Sequence, residues 1–301
     1  MKNILRIALL ALMLLALLVL VPSGAIVAQA EILELPLDAT EGLAPQESGY
    51  LSDWAYEDPS ISVSIETGRY EETNYMVARV KLANATQLRT AMASNYYNPS
   101  TSLGSTIARR CKAVLAINGD YFSYHETGIV VRNGKTLRFK PNRSRDTLVI
   151  DDKGDFTILS PTTREGFESL DSPVMHAFCF GPGLVIDGQV LEDVNHITLN
   201  LGKNKRTQRI ALCQMGPLDY LILACEGPEN KGSKGLTLLQ MAQLCKRMGC
   251  RNAYNLDGGS SATIALKGKK INALDSHKNR LVGDCIYFAT LIPTPEGVTG
   301  P

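Results

Sequence analysis

The feature that most narrows the fold is a series of short apolar segments, each separated from the next by a tight-turn sequence. Ile129 to Val131 and Thr136 to Phe139 flank Asn133-Gly134, while Leu148 to Ile150 and Phe156 to Leu159 flank Asp152-Lys153-Gly154. Leu184 to Ile186 and Val190-Leu191 flank Asp187-Gly188-Gln189, and Arg209 to Gln214 and Tyr220 to Cys225 flank Gly216-Pro217. Asn-Gly and Asp-Gly accept the positive φ that short hairpin loops demand. Neighbouring segments should therefore pair antiparallel. Ile61, Val63 and Ile65 alternate with Ser62 and Ser64, the period of a half-buried strand, and Tyr75 to Leu82 follows as a second. Ala113 to Ile117, Ala253 to Leu256, Thr263 to Leu266 and Cys285 to Leu291 complete the strand pattern.

Helical patterns are few. Thr101 to Arg110 reads as a short helix. The clear one starts at Thr237, an N-cap with Gln240 as capping-box partner. Leu238, Leu239, Met241, Ala242, Leu244, Cys245 and Met248 form its apolar stripe, which reads as core, and Gly249 is placed to end it. Hairpins with few helices predict an α+β fold: a single mixed, largely antiparallel β-sheet domain with a few packed helices.

The N-terminus indicates the compartment. Lys2 and Arg6 precede an apolar run from Ile7 to Val21, Pro22-Ser23-Gly24 breaks it, and Ala28-Gln29-Ala30 supplies a small-x-small cleavage site. Residues 1–30 therefore read as a signal peptide or an N-terminal anchor, and the protein as secreted or held in the cell envelope, extracytoplasmic. Membrane contact is expected only through residues 4–21, if they are not cleaved. The acidic, aperiodic residues 31–58 read as a linker, 59–292 as the domain and 293–301 as a tail.

Lys+Arg 31 against Asp+Glu 30 leaves a formal charge of +1, which excludes an overall field for nucleic acid. The seven cysteines contain no C-x-x-C pair and mostly sit inside apolar patterns, so they read as small core residues. His125, His176, His196 and His277 show no metal-ligand spacing. The chain has no P-loop, dinucleotide fingerprint or G-x-S-x-G elbow.

Three polar clusters remain. Asn118-Gly119-Asp120-Tyr121-Phe122 follows a strand, with His125 and Glu126 just beyond. Lys203, Lys205, Arg206, Thr207 and Arg209 form a basic run suited to phosphate oxygens, or simply a solvated loop. Asn255-Leu256-Asp257-Gly258-Gly259-Ser260-Ser261 places one carboxylate and two hydroxyls around two glycines. Taken alone, that last stretch fits a hairpin turn as well as a site. Carboxylates from two strand ends are what glycosyl or phosphodiester cleavage would use.

Together the clusters resemble the phosphodiester glycosidase family over roughly Ile61 to Leu291. The resemblance rests on Ala116 to Phe122, Gly181 to Gly188, Arg206-Thr207, Gly235-Leu236-Thr237, Asn255 to Ser261, and Arg280 with Asp284. It is similar to the bacterial, exopolysaccharide-biosynthesis-like branch; the animal member removes N-acetylglucosamine from a phosphodiester. The resemblance implies a pocket made by Asn118, Gly119, Arg206, Thr207, Asn255, Asp257, Gly258 and Gly259, with Arg280 as a further substrate- or phosphate-binding residue. Departures from the family pattern are Lys205 before Arg206, Gln208-Arg209-Ile210 after Thr207, Glu226-Gly227-Pro228, and Ser260 in place of a third glycine.

The expected function is an extracytoplasmic hydrolase that cleaves a sugar-1-phosphate diester in a surface glycan or glycoconjugate. Asp257 is the expected catalytic carboxylate, with Asp120 or Glu126 as partner. Arg206 and Thr207 would hold phosphate, and Asn118 and Asn255 would position the sugar. No cofactor is required, although a divalent cation beside Asp120 or Asp257 is compatible with the pattern. The alternatives are a non-catalytic glycan-binding or envelope-assembly protein and a metal-dependent phosphodiesterase.

Overall fold

A computed structural model describes residues 31–37, 41–193, 204–273 and 279–293. The expected leader, Lys203, His196, His277 and the tail from 294 lie outside the described residues. Among the described residues no helix is long and apolar enough to cross a membrane.

The strands form three sheets, and every pairing described is antiparallel. The largest has nine strands in the order β1 (Tyr50–Ser52), β2 (Ala55–Asp58), β3 (Ile61–Tyr70), β4 (Thr73–Leu82), β15 (Asp219–Cys225), β14 (Arg209–Gly216), β16 (Asn252–Leu256), β12 (Gly183–Ile186) and β13 (Gln189–Val190). A five-stranded sheet runs β10 (Phe156–Leu159), β9 (Thr147–Asp151), β11 (Val174–Phe178), β7 (Gly128–Arg132), β8 (Lys135–Lys140). The third runs β18 (Lys269–Lys270), β17 (Ile264–Leu266), β6 (Leu115–Asn118), β19 (Asp284–Phe288), β5 (Leu88–Met92). Among the described residues three helices accompany them: α1 (Gly104–Arg110), α2 (Arg164–Glu168) and α3 (Leu238–Arg247). This is the α+β, largely antiparallel architecture that the hairpin pattern predicts.

The turn sequences act as expected. Asn133 and Gly134 both take positive φ, 47° and 77°, and join β7 to β8. At the head of α3, Thr237 Oγ1 accepts the Gln240 N–H while the Gln240 side chain accepts the Thr237 N–H, so the capping box is complete. Residues 31–58 are not wholly a linker. Strands β1 and β2 extend the nine-stranded sheet, and Tyr56 is buried there with its hydroxyl on Asp58. With one inward side chain in β2, the segment has too little alternation to read as a strand. Strands β5 and β11 and helix α2 were likewise unsignalled.

One core joins all three sheets. Val63, Val80, Leu212 and Leu256 meet Leu148 and Phe178 from the second sheet and Ile117, Ile264 and Phe288 from the third. The other face of the nine-stranded sheet is covered by α3 through Met241, Leu244 and Cys245. Helix α1 covers the outer face of the third sheet through Ile107 and Ala108. All seven cysteines are buried and free, consistent with their reading as core residues.

Candidate active site

The end of β6, the start of β19, the end of β7 and the loop after β16 converge on one point. Asn118 closes β6 and is fully buried. Its Nδ2 donates to the Asp257 carbonyl at 2.8 Å, and its Oδ1 accepts the Thr263 N–H at 3.0 Å. The side chain expected to orient a sugar is therefore used to clamp the Asp257 loop to the third sheet.

Gly119 is required by packing. A Cβ there would lie 2.0 Å from Asp284 Oδ1. Asp120 and Asp284 share one guanidinium: Arg132 donates from Nη2 to Asp120 Oδ1 at 2.7 Å and from Nε to Asp284 Oδ2 at 2.9 Å. The other Asp120 oxygen accepts the Cys179 N–H at 2.8 Å. Arg132 also lies over the Phe178 ring, 4.2 Å from its centroid. With both oxygens engaged and the residue 1 % exposed, Asp120 cannot serve as the accessible partner carboxylate expected of it. Burial pushes the Asp284 carboxyl up to about 6, although Arg132 opposes that rise.

Asp257 is different. It follows the last residue of β16, and its side chain keeps 12 % exposure where that of Asp120 has none. Burial raises its pKa above the ordinary aspartate value, and the charge of Asp120 adds to the rise. Two groups pull it back: the Ser261 hydroxyl, buried and short of a full hydrogen bond, and the Arg280 guanidinium. Arg280 Nη1 lies 3.9 Å from Asp257 Oδ2, and its side chain is 49 % exposed. The Arg280 N–H donates to the Ser260 carbonyl, which fixes the two segments side by side.

The glycines let this loop pass close to its neighbours. At Gly258 a Cβ would sit 2.6 Å from the Gln208 carbonyl, which accepts the Gly259 N–H at 2.9 Å. Ser260, where the family has a third glycine, is not among the positive-φ residues, so a serine side chain carries no backbone penalty there.

The aromatic wall was missed by sequence reasoning. Tyr121, in a left-handed conformation with φ 67°, stacks on Tyr124 with centroids 4.0 Å apart. Its phenol is pushed up by burial and feels both Arg280 and Asp257, which places it beside that pair. Its position within Asn118-Gly119-Asp120-Tyr121 was the available signal.

The other expected residues are not among the groups that act on Asp257. Arg206 Nε donates to the Gly235 carbonyl at 2.8 Å, and its Nη2 donates to the Glu71 carbonyl. Thr207 makes a backbone bridge with Leu236. Both therefore serve the junction before α3, and it is the next residue, Gln208, whose carbonyl accepts from the Asp257 loop. Asn255 is buried, and its Nδ2 donates to the Gly181 carbonyl at 2.8 Å. Glu126 is exposed on the cavity beside Tyr96 and Tyr97 and is not among the groups that shift Asp257.

A profile of the phosphodiester glycosidase family matches residues 111–289, more than half of the chain. The chain belongs to the phosphodiester glycosidase family. That span contains Asn118, Asp120, Arg132, Asp257, Arg280 and Asp284. A prophage-derived uncharacterized protein of Bacillus subtilis is 26 % identical over 189 residues, covering 61 % of this chain and 29 % of that protein. This chain thus spans under a third of that relative. Among solved structures, the catalytic domain of zebrafish N-acetylglucosamine-1-phosphodiester alpha-N-acetylglucosaminidase, auto-inhibited by its pro-peptide, superposes with TM-score 0.64 at 14 % identity, covering 83 % of this chain and 87 % of that one. A hypothetical protein from Synechocystis gives 0.54 at 17 % identity, covering 76 % and 62 % of the two chains. At these identities the phosphodiester glycosidase likeness in three dimensions concerns the fold.

Proposed function

We propose that this phosphodiester glycosidase-family chain is an extracytoplasmic hydrolase that cleaves the bond between a sugar C1 and the oxygen of a phosphodiester. The observation that carries the reading is Asp257, a carboxyl lifted by burial and set against the half-exposed Arg280 under Tyr121. Ionised Asp257 supplies the electron pair that displaces phosphate, either at C1 or through a water. The C1–O bond breaks with its electrons going to the phosphate oxygen, and water provides the new hydroxyl on C1. Phosphate is a good leaving group, so a second carboxyl acting as acid is not needed, consistent with the occupied state of Asp120. Arg280 replaces Arg206 as the group that meets the phosphate and its developing charge. Tyr121 offers a flat face to the sugar.

The test is hydrolysis of an aryl phosphodiester of N-acetylglucosamine 1-phosphate in labelled water. Label in the released sugar and a loss of about a hundredfold or more in Asp257→Asn are expected. Label in the phosphate, as a metal-dependent phosphodiesterase would give, overturns the reading. So does glycan binding without turnover.

A further inference from the structure

The turn that carries Tyr121 has a second face. Phe122, Ser123 and His125 border an open cavity of about 770 Å³ along β8. A second cavity of about 740 Å³ adjoins it, and the two share Tyr96, Tyr97 and Leu137.

Tyr97 is 79 % exposed. Its loop is nevertheless braced: Ser94 Oγ donates to the Asn98 carbonyl and accepts the Ser100 N–H, each at 2.8 Å. Tyr96 meets Tyr97 edge-on at 5.4 Å and stacks on Phe122 at 5.8 Å. A tyrosine held in place in solvent loses little entropy when a ligand lies on it.

The charges around the cavities are mainly positive. Lys140 borders the first cavity, and Lys135 and Arg110 border the second. Neither lysine has an ion pair among the described residues. Of the bordering acids, Glu41 is paired with Lys112 at 3.0 Å, leaving Glu126. The lysines close the two ends of β8; because a bulge sets its six residues against five of β7, they lie about 14 Å apart at the rise of a strand. That span is longer than one sugar.

We propose that the two cavities form one trough for an extended anionic glycan, sugars joined through phosphodiesters, which it leads across residues 121–125 to Asp257. A neutral glycan would leave the lysines uncompensated. An acidic peptide would not use the flat tyrosine faces. The inference rests on the proposed phosphodiester cleavage for its substrate class.

Calorimetry on the Asp257→Asn protein tests it, because the probe then survives. The probes are a phosphodiester-linked tetramer of N-acetylglucosamine 1-phosphate and its single diester unit. The tetramer should bind about tenfold tighter, a difference that salt weakens. Tyr97→Ala and Lys140→Ala should each remove most of that gain, whereas Lys153→Ala should not. Equal affinity for the two probes, no effect of either variant, or equal binding of a neutral oligosaccharide or polyglutamate overturns the trough. Length-dependent binding with no hydrolysis by the unmutated protein would instead sustain the trough and sink the reaction. Hydrolysis of the single unit without length dependence would do the reverse.

Discussion

At the residue scale, the proposed chemistry and its pH dependence rest on Asp257 and Arg280. The folded protein raises the Asp257 pKa, so its contribution to stability is full below the unfolded value and is lost as pH rises through the folded one. At neutral pH the charged carboxyl is therefore a cost to folding. Asp257→Asn should melt about 2–4 °C higher at pH 7 for each kcal/mol relieved, measured by calorimetry. Arg280 acts in the opposite direction by holding the carboxyl down. Arg280→Gln should therefore move the acidic limb of kcat/KM to higher pH, by up to about one unit, and raise KM for the diester. A limb that stays in place would show that Asp257 is not the group titrating. Asp257 was legible in the sequence as a carboxylate beside two glycines, but its raised pKa depends first on burial in the folded protein and then on the charge of Asp120, far away along the chain.

At the scale of elements, the site depends on strand ends held to one another. The Asn118 amide joins β6 to the loop after β16, and Arg132 joins the end of β7 to the start of β19. Asn118→Ala leaves the Thr263 N–H and the Asp257 carbonyl without those partners and should cost about 1–3 kcal/mol in urea unfolding. Gly119→Ala forces a methyl against Asp284 and should cost about as much, with activity falling because the Asp257 clamp shifts with it. A stable, fully active Gly119→Ala protein would contradict this geometry. The sequence marked Asn118-Gly119-Asp120 as a site, whereas its side chains mainly hold the site together. A motif shows which residues matter; it does not show whether they face the ligand or the protein.

At the scale of the whole molecule, His176 links two sheets. It accepts the Asn133 N–H at Nδ1, so Nε2 carries the proton and donates to the Leu88 carbonyl at 3.1 Å. Burial, with Arg132 nearby, depresses its pKa to about 3. A histidine held neutral in this way contributes stability above its unfolded pKa that is lost as pH falls below it. Between pH 6.5 and 5 that loss approaches about 2 kcal/mol. The stability gap between the unmutated protein and His176→Gln should narrow by that amount over the same range. A gap independent of pH would mean that the imidazole is not held neutral. The isolated histidine in the sequence gave no sign of this link, because β11 and β5 were both unsignalled and the link exists only where they meet.

What the sequence determined by itself is local or cumulative. Turn dipeptides and period-two apolar patterns set the hairpins, a capping box set α3, and the order of several motifs pointed to the phosphodiester glycosidases. Such signals act between near neighbours in the chain, so a single sequence carries them. Tertiary structure decided which polar groups remain available to a ligand. Arg206 and Asp120 satisfy buried or carbonyl partners far from them in sequence, while Arg280 and Tyr121 turn toward Asp257. A buried donor or acceptor must find a partner, and the fold chooses that partner only when the three sheets come together.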